Sequence, residues 1–262
     1  MSRFEKPIRN YMKAPVHCAT VEDSLVDVER QLRERNVSCL PVVGRDGTVT
    51  GVISYSDLLQ IGHVMARSVG GKQLLNLPAM CVGDLMTPQI VATPPDATVA
   101  SACGTMCERN IHRLFVLEGS KAVGVFSARD AMTAIVEAKL KEPIARYMTA
   151  PAITVDAATP VSIAAERLYG SRVTGVIVTE DGAPGGLFTQ IEALAARELP
   201  QTTPVGEAVG YSVICLPEST PIDRAAGFAI HGRARRVVVL GREGIAGVLT
   251  PLDFARAATS AD

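Results

Sequence analysis

Tryptophan is absent from this 262-residue chain, and aromatic residues make up only 4% of it. Any core must therefore be aliphatic, built from Val, Leu, Ile and Ala. Net charge is missing too: 26 Lys and Arg against 27 Asp and Glu leave −1. No overall field draws the chain to nucleic acid or acidic lipid, so phosphate binding would have to come from a local cluster. No hydrophobic run approaches the ~20 residues of a membrane span. The opening Met1-Ser2-Arg3-Phe4-Glu5-Lys6 carries charge where a secretory signal needs an apolar stretch. The cysteines at 18, 39, 81, 103, 107 and 215 include no Cys-x-x-Cys pair, which argues against a zinc site or a redox dithiol. Cys103 and Cys107, one helical turn apart, read as small buried or half-buried thiols. Irregular unpaired cysteines fit a reducing compartment, so the expected location is cytoplasmic.

What the chain has instead is 47% hydrophobic residues and an internal repeat. Four glycines introduce the same triplet: Gly51-Val52-Ile53-Ser54, Gly124-Val125-Phe126-Ser127, Gly186-Leu187-Phe188-Thr189 and Gly247-Val248-Leu249-Thr250. Three residues after each Ser or Thr stands an acid: Asp57, Asp130, Glu192 and Asp253. Upstream lie Met12-Lys13-Ala14-Pro15, Met86-Thr87-Pro88, Met148-Thr149-Ala150-Pro151 and the degenerate Val209-Gly210-Tyr211. From these starts to the Ser or Thr the distance is 42, 41, 41 and 41 residues. Chance does not produce four such copies.

Each copy reads as βαββα. In repeat two, Ile90-Val91-Ala92 is a short extended segment. Pro95-Asp96-Ala97-Thr98-Val99 opens a helix with Ala102 and Met106 at helical spacing. Leu114-Phe115-Val116-Leu117 is a strand, and a second helix runs from Ser127 to Lys139. Asp46-Gly47 and Asp181-Gly182 are hairpin signals. The expected boundaries are repeat one at 1–62, a linker at 63–81, repeat two at 82–139, repeat three at 140–200 and repeat four at 201–262. The linker holds Gly70-Gly71, and its Leu74, Leu75 and Leu77 imply that it packs on the body. One such unit has too little core to stand alone, so repeats one and two, and three and four, are expected to pair.

These residues resemble the cystathionine β-synthase (CBS) domain family, whose paired copies form Bateman modules. The resemblance rests on Met86-Thr87-Pro88, Asp96-Ala97-Thr98-Val99, Ile111-His112-Arg113-Leu114 and the closing Gly-x-x-Ser/Thr-x-x-Asp. Repeat two matches best, and repeat four lacks the opening Met. It implies an α/β (α+β) fold of four tandem βαββα repeats in two Bateman modules, laid out like the gamma subunit of AMP-activated kinase. It further implies a self-contained four-repeat disc or a homodimer. In the family, residues at the positions of Ile90 and Val213 wall an adenine; they are equally well read as core.

The motif has its own chemistry. A carboxylate accepts hydrogen bonds from both hydroxyls of a ribose. A hydroxyl at a helix start, as at Ser127, stands where free N–H groups and the helix dipole attract phosphate. Gly124 allows close approach of backbone to ligand. The same four residues are also a capping box, which stabilises a helix with no ligand; repeat three, whose acid is Glu192, is read as cap only. A second feature favours a site. Before the second strand, repeat two has His112-Arg113 and repeat four has Arg235-Arg236, where repeats one and three have Ser38-Cys39 and Thr174-Gly175. Arg129 adds a cation inside the repeat-two motif. The candidate nucleotide ligands are thus Ile90, His112, Arg113, Ser127, Arg129 and Asp130 in repeat two. Repeat four offers Val213, Arg235, Arg236, Thr250 and Asp253, and repeat one Ser54 and Asp57. No metal site and no catalytic set is expected. His17, His63, His112 and His231 fall at unrelated repeat positions, and neither a P-loop nor a Gly-x-Gly-x-x-Gly is present.

The expectation is a regulatory protein, not an enzyme. It would bind AMP, ADP or ATP between paired repeats without a catalytic cofactor and signal to an effector protein by a shift of conformation. Neither nucleic acid nor membrane is an expected partner. The alternatives are a scaffold with empty clefts, or a sensor of S-adenosylmethionine or NAD. Arginines facing the cleft favour a phosphate over a sulfonium cation, which they would repel.

Overall fold

The computed structural model of the protein describes residues 3–35, 37–61, 63–64, 75–171, 173, 175–196, 199–210 and 213–260. Its contacts divide into two compact units. One comprises residues 8–97 and 113–126, and the other residues 1–7, 98–112 and 127–262. This division does not fall near residue 139 but cuts repeat two, whose sheet belongs to the first unit and whose two long helices belong to the second.

In the first unit, repeat one runs β1 (Ala19–Thr20), α1 (Leu25–Glu34), β2 (Cys39–Val43), β3 (Val49–Ser54) and α2 (Tyr55–Ile61). β1 lies parallel to β2, with Ala19 beside Val42. β2 and β3 form an antiparallel hairpin in which Cys39 faces Ser54. Its turn falls at the expected Asp46-Gly47: Gly47 has φ +78°, a value natural to glycine, and the Asp46 carboxylate accepts from Thr48 N at 3.0 Å. Ser24 caps α1 by accepting from Asp27 N at 3.1 Å. Leu25, Val28 and Leu32, at helical spacing, pack against Leu40, Val42, Ile53 and Leu58. This cluster is aliphatic, with Tyr55 packed at its edge, but the expectation of a purely aliphatic core does not hold for the whole molecule: Phe4, Phe126, Phe188 and Phe254 are fully buried, because the few aromatics present are large enough to be used inside. Each such buried side chain contributes about 1.5–3 kcal/mol relative to exposure.

A short antiparallel pair follows, β4 (His63–Val64) and β5 (Leu75–Asn76). Leu77 and Met80 then pack against the repeat-one core, so this end of the linker does lie on the body. Gly70, Gly71 and Leu74 lie outside the described residues. Repeat two opens with α3 (Val82–Leu85) and β6 (Thr87–Pro88), followed by β7 (Ala92–Thr93), α4 (Val99–Arg109), β8 (Arg113–Glu118), β9 (Lys121–Ser127) and α5 (Ala128–Ala138). The first unit takes its strands: β7 is parallel to β8, and β9 follows in the same sheet.

The opening segments explain the pairing of repeats one and two. β6 joins the edge of β3 in repeat one, Gly51 beside Pro88 and Val52 beside Thr87. In return, Lys13 of repeat one bridges Val125 of repeat two, N to O at 2.9 Å and back at 3.0 Å. This exchange accounts for the glycine before each motif. A Cβ at Gly124 would lie 2.7 Å from Met12 Sδ, and one at Gly51 would lie 2.9 Å from Met86 Sδ and 2.7 Å from Thr87 O. The opening methionine of each repeat thus covers the motif glycine of its partner. Gly124 answers the approach of Met12, where the sequence had offered a ligand.

The second unit contains α4, α5 and repeats three and four. Repeat three runs β10 (Thr154–Asp156), α6 (Val161–Gly170), β11 (Gly175–Glu180), β12 (Ala183–Thr189) and α7 (Gln190–Ala195). Repeat four runs β13 (Ile214–Pro217), α8 (Ile222–His231), β14 (Val237–Gly241), β15 (Gly244–Leu249) and α9 (Pro251–Ser260). The same exchange joins them: Thr149 bridges Val248, and Gly210 bridges Leu187. Met148 Sδ would lie 2.8 Å from a Cβ at Gly247; over Gly186 the missing methionine is replaced by Val209, with Cγ2 at 2.8 Å. Helices α4 and α5 pack on α8 and α9 through buried alanines, including Ala102, Ala131, Ala225 and Ala255, which let backbones approach closely. Pro160 and Pro221 precede α6 and α8 and give no side-chain cap. The partner repeat supplies carbonyls instead: Val161 N donates to Thr203 O at 2.8 Å, and Ile222 N to Glu142 O at 2.9 Å.

Candidate functional site

All four Ser/Thr-x-x-acid motifs fold as caps. Ser54 N and Oγ both donate to Asp57 Oδ2 at 2.7 Å. Ser127 repeats this with Asp130 Oδ2 at 2.8 and 2.6 Å, and Thr189 donates from N and Oγ1 to Glu192 Oε2, the former at 2.9 Å. Thr250 does so with Asp253 Oδ2 at 2.6 and 2.8 Å. In every copy the cap engages one carboxylate oxygen, and the second points elsewhere. Cap and ligand acceptor are therefore compatible roles for one carboxylate.

The second oxygen meets different surroundings in different repeats. Asp253 is 2% exposed, and its Oδ1 accepts from Thr149 Oγ1 at 3.1 Å and Arg256 Nη2 at 2.6 Å. Four protein donors thus satisfy it. Glu192 Oε1 lies 3.5 Å from where a Cβ of Gly210 would stand, on the side of the repeat-four opening. Asp57 is half-buried and makes its cap through Oδ2.

The arginines cross from one repeat to the other. Arg113 of repeat two donates from Nη1 to Cys39 Sγ of repeat one at 3.0 Å. Cys39 faces Ser54 across the β2–β3 ladder, so Arg113 ends beside the repeat-one motif. Burial pushes the Cys39 thiol up; Arg113 opposes that rise, and Asp57 adds to it. Arg236 of repeat four makes the matching crossing. A Cβ at Gly175 of repeat three would stand 2.9 Å from its Cζ, 3.0 Å from Nε and 3.1 Å from Nη2. Gly175 faces Thr189 across the β11–β12 ladder. Burial lowers the Arg236 pKa, Arg235 lowers it further, and Glu192 acts in the opposite direction. Arg236 therefore sits by the acid of repeat three.

The structure thus brings together Ser54, Asp57 and Arg113 in the first unit, with Ile90 half-buried just before β7. In the second unit it holds His112, Ser127, Arg129 and Asp130, and separately Val213, Arg235, Arg236, Thr250 and Asp253. His112 is exposed, and its carbonyl accepts from Ala128 N at 2.9 Å. Arg129 reaches the last turn of α8, donating to Ala229 O at 3.5 Å and Ile230 O at 3.4 Å, a helix-end contact that suits a cation. Arg235 is exposed and Val213 half-buried. Thr174 and Tyr211 lie outside the described residues. Cys39 and Gly175, the partners of the arginines, do not stand out when each repeat is taken alone. The signal was there: each stands at the repeat position of the arginine in its partner.

Among the described residues no group of three or more His, Cys, Asp or Glu is placed to hold a metal ion, and no helix is long and apolar enough to cross a membrane.

The family model for the CBS domain matches residues 8–63, 82–137, 144–198 and 200–260. Among curated proteins, the uncharacterized 33.4 kDa protein in the ribosomal RNA operon of Thermofilum pendens is 24% identical over 184 residues. That match covers 65% of this chain and 57% of the relative, so the chain spans little more than half of that protein's length. Protein MJ1426 of Methanocaldococcus jannaschii is 27% identical over 154 residues, 49% of this chain and 90% of that protein. Among solved structures, protein MJ1225 of Methanocaldococcus jannaschii, proposed as an archaeal homologue of the AMP-activated kinase gamma subunit, superposes with a TM-score of 0.75. It is 14% identical and covers 96% of this chain and 99% of its own. A conserved protein from Pyrococcus horikoshii gives 0.71 at 18% identity with the same coverage. At these identities the likeness concerns the fold.

Proposed function

The chain belongs to the CBS-domain family, and from that premise we propose that it is a regulatory protein that binds an adenine nucleotide in the clefts between paired repeats. Occupancy would shift the balance of conformations that an effector protein reads. The observation that carries this reading is the crossing of Arg113 to the motif of repeat one. A ribose acceptor, Asp57, a helix-start hydroxyl, Ser54, and a guanidinium then share one side of a single unit. Carboxylate for ribose and guanidinium for phosphate are the two complements that a nucleotide needs. Arg236 beside Glu192 offers the same pairing of charges in repeats three and four.

The roles separate by chemistry. Asp57→Asn should weaken adenosine and AMP alike. Arg113→Ala should weaken AMP and leave adenosine nearly unchanged, by roughly the 1.5–3 kcal/mol of a hydrogen bond to a charged group. Calorimetry of both variants against both ligands checks this. Equal losses of the two ligands with Arg113→Ala would refute the phosphate role. The same titration with Asp130→Asn asks whether repeat two holds a site of its own. A thermal-shift panel of AMP, ADP, ATP, NAD and S-adenosylmethionine separates a sensor from an empty scaffold. A ligand at 100 times its dissociation constant stabilises by about 2.7 kcal/mol.

A further inference from the structure

We propose that Gly175 is a specificity-determining position. By having no side chain it seats the Arg236 guanidinium, and that seat makes the repeat three–four cleft select a ligand that carries phosphate. The inference rests on the nucleotide reading above and adds to it the residue that sets the choice.

Gly175 is the first residue of β11 and is paired in register with Thr189. The glycines with left-handed backbone are Gly47, Gly119, Gly182 and Gly244, so among the described residues Gly175 is not held to glycine by its φ. In a strand, glycine gives up packing and conformational restriction that a β-branched residue would supply. What the missing side chain provides here is room. Three atoms of the Arg236 guanidinium, Cζ, Nε and Nη2, would all lie within 3.1 Å of a Cβ at this position. The plane of the guanidinium rests on bare backbone.

A side chain at 175 would therefore move Arg236, and two directions matter for a ligand. Toward Glu192, whose charge already acts on it, the guanidinium is drawn against the acid and away from a ligand. Away from Glu192, the half-buried guanidinium returns to solvent and loses its fixed aim. Repeat one shows the contrast. There a side chain is present, Cys39, and the arginine meets it end-on through Nη1 at 3.0 Å.

The test uses the full chain carrying Asp57→Asn, so that the ribose acceptor of the other cleft is removed. Gly175→Ala and Gly175→Cys are compared with the parent, alone and combined with Arg236→Ala. Calorimetry with AMP and adenosine should show AMP weakened roughly tenfold by either Gly175 variant, the scale of one charge-assisted hydrogen bond. Adenosine should be unchanged, and the Gly175 variants should have no further effect once Arg236 is alanine. Unchanged AMP affinity, or a loss that adds to that of Arg236→Ala, would overturn the proposal. A second readout needs no nucleotide. Arg236 should react more slowly with phenylglyoxal than exposed Arg235, by peptide mass spectrometry, and Gly175→Ala should change that protection, raising reactivity if the guanidinium swings to solvent and lowering it further if it is drawn against Glu192. Equal reactivity in parent and variant overturns the seat. Failure of AMP to bind the unsubstituted chain, with protection intact, sinks the nucleotide reading and leaves the seat standing.

Discussion

In repeats one and two the crossing arginine, Arg113, ends against a thiol; in repeats three and four its counterpart, Arg236, lies flat on a backbone. The acids differ as well: Asp57 in the first pair, and Glu192, one methylene longer, in the second. So do the opening segments. Met12 and Met86 cover the motif glycines of the first pair, whereas the second uses Met148 once and Val209 once. One backbone plan thus carries two finishes, and the residues that distinguish them come from the partner repeat. A CBS pair is the unit in which a cleft has to be read, because the long side chain and the motif it serves are supplied by different repeats.

The largest effect should come from the opening segments. At Gly51 an added Cβ meets the backbone oxygen of Thr87 at 2.7 Å, which cannot retreat without breaking the β3–β6 ladder. At the equivalent Gly186 the nearest atom is Val209 Cγ2 at 2.8 Å, and the backbone oxygen of Gly210 stands back at 3.4 Å. Gly51→Val is expected to destabilise by about 3 kcal/mol and Gly186→Val by about 1 kcal/mol, the two ends of the overpacking range. Chemical denaturation measures both. Equal losses would show that the two pairs tolerate the exchange alike.

Next come the acids. Asp253 accepts from four protein donors and is buried, whereas the cap of Asp57 uses one of its oxygens. Asp253→Asn sets an amide NH2 among donors and should cost about 2 kcal/mol of stability with no change in AMP affinity. Asp57→Asn should cost about 1 kcal/mol, the usual worth of a cap, while weakening AMP and adenosine together. If Asp253→Asn weakens AMP as much as Asp57→Asn does, repeat four holds a working site and the comparison is wrong.

Much of the fold was legible because the signals were local. Ser127 caps α5, and Lys139 closes it with φ +52°, at the ends the sequence marked. Asp181-Gly182 turns the β11–β12 hairpin with φ +49° and +79°. The constant spacing from opening to motif revealed four copies, since each must span the same exchanged strand. What stayed hidden depends on partners distant in sequence. Arg129 looked like a phosphate ligand because it lies inside a motif, yet its contact is with carbonyls of α8 about a hundred residues away. Arg113 and Arg236 were grouped with the acids of their own repeats, because spacing cannot show that a side chain crosses to its neighbour. Nor could the pattern show that α4 and α5 pack with α8 and α9, since an alanine-rich helix face does not specify its partner.

The smallest expected effect bears on the thiol that meets Arg113. Burial outweighs the pull of Arg113 on the Cys39 thiol and holds its pKa above the ordinary range. The sulfur is therefore neutral near pH 7 and is a weak acceptor. To reach a phosphate, Arg113 has to leave it. The strength of the acceptor at position 39 should then set a small penalty on AMP and none on adenosine. Cys39→Ser supplies a stronger acceptor and should weaken AMP by about two- to threefold. Cys39→Ala supplies none and should tighten it by a similar factor, in each case under the ~1 kcal/mol of a typical net hydrogen bond. The pH dependence has a definite sign. The folded state keeps the thiol proton to higher pH than the unfolded chain, so this group adds stability that is full below the ordinary thiol pKa of about 8.5 and fades as pH climbs above it. Cys39→Ala should flatten that alkaline decline. Calorimetry at pH 7.5 gives the order of the three residues. The order alanine, cysteine, serine from tightest to weakest AMP binding means that the sulfur detains the arginine. The reverse order means that it presents the arginine to the ligand, and the flat seat at Gly175 would then be the less organised of the two.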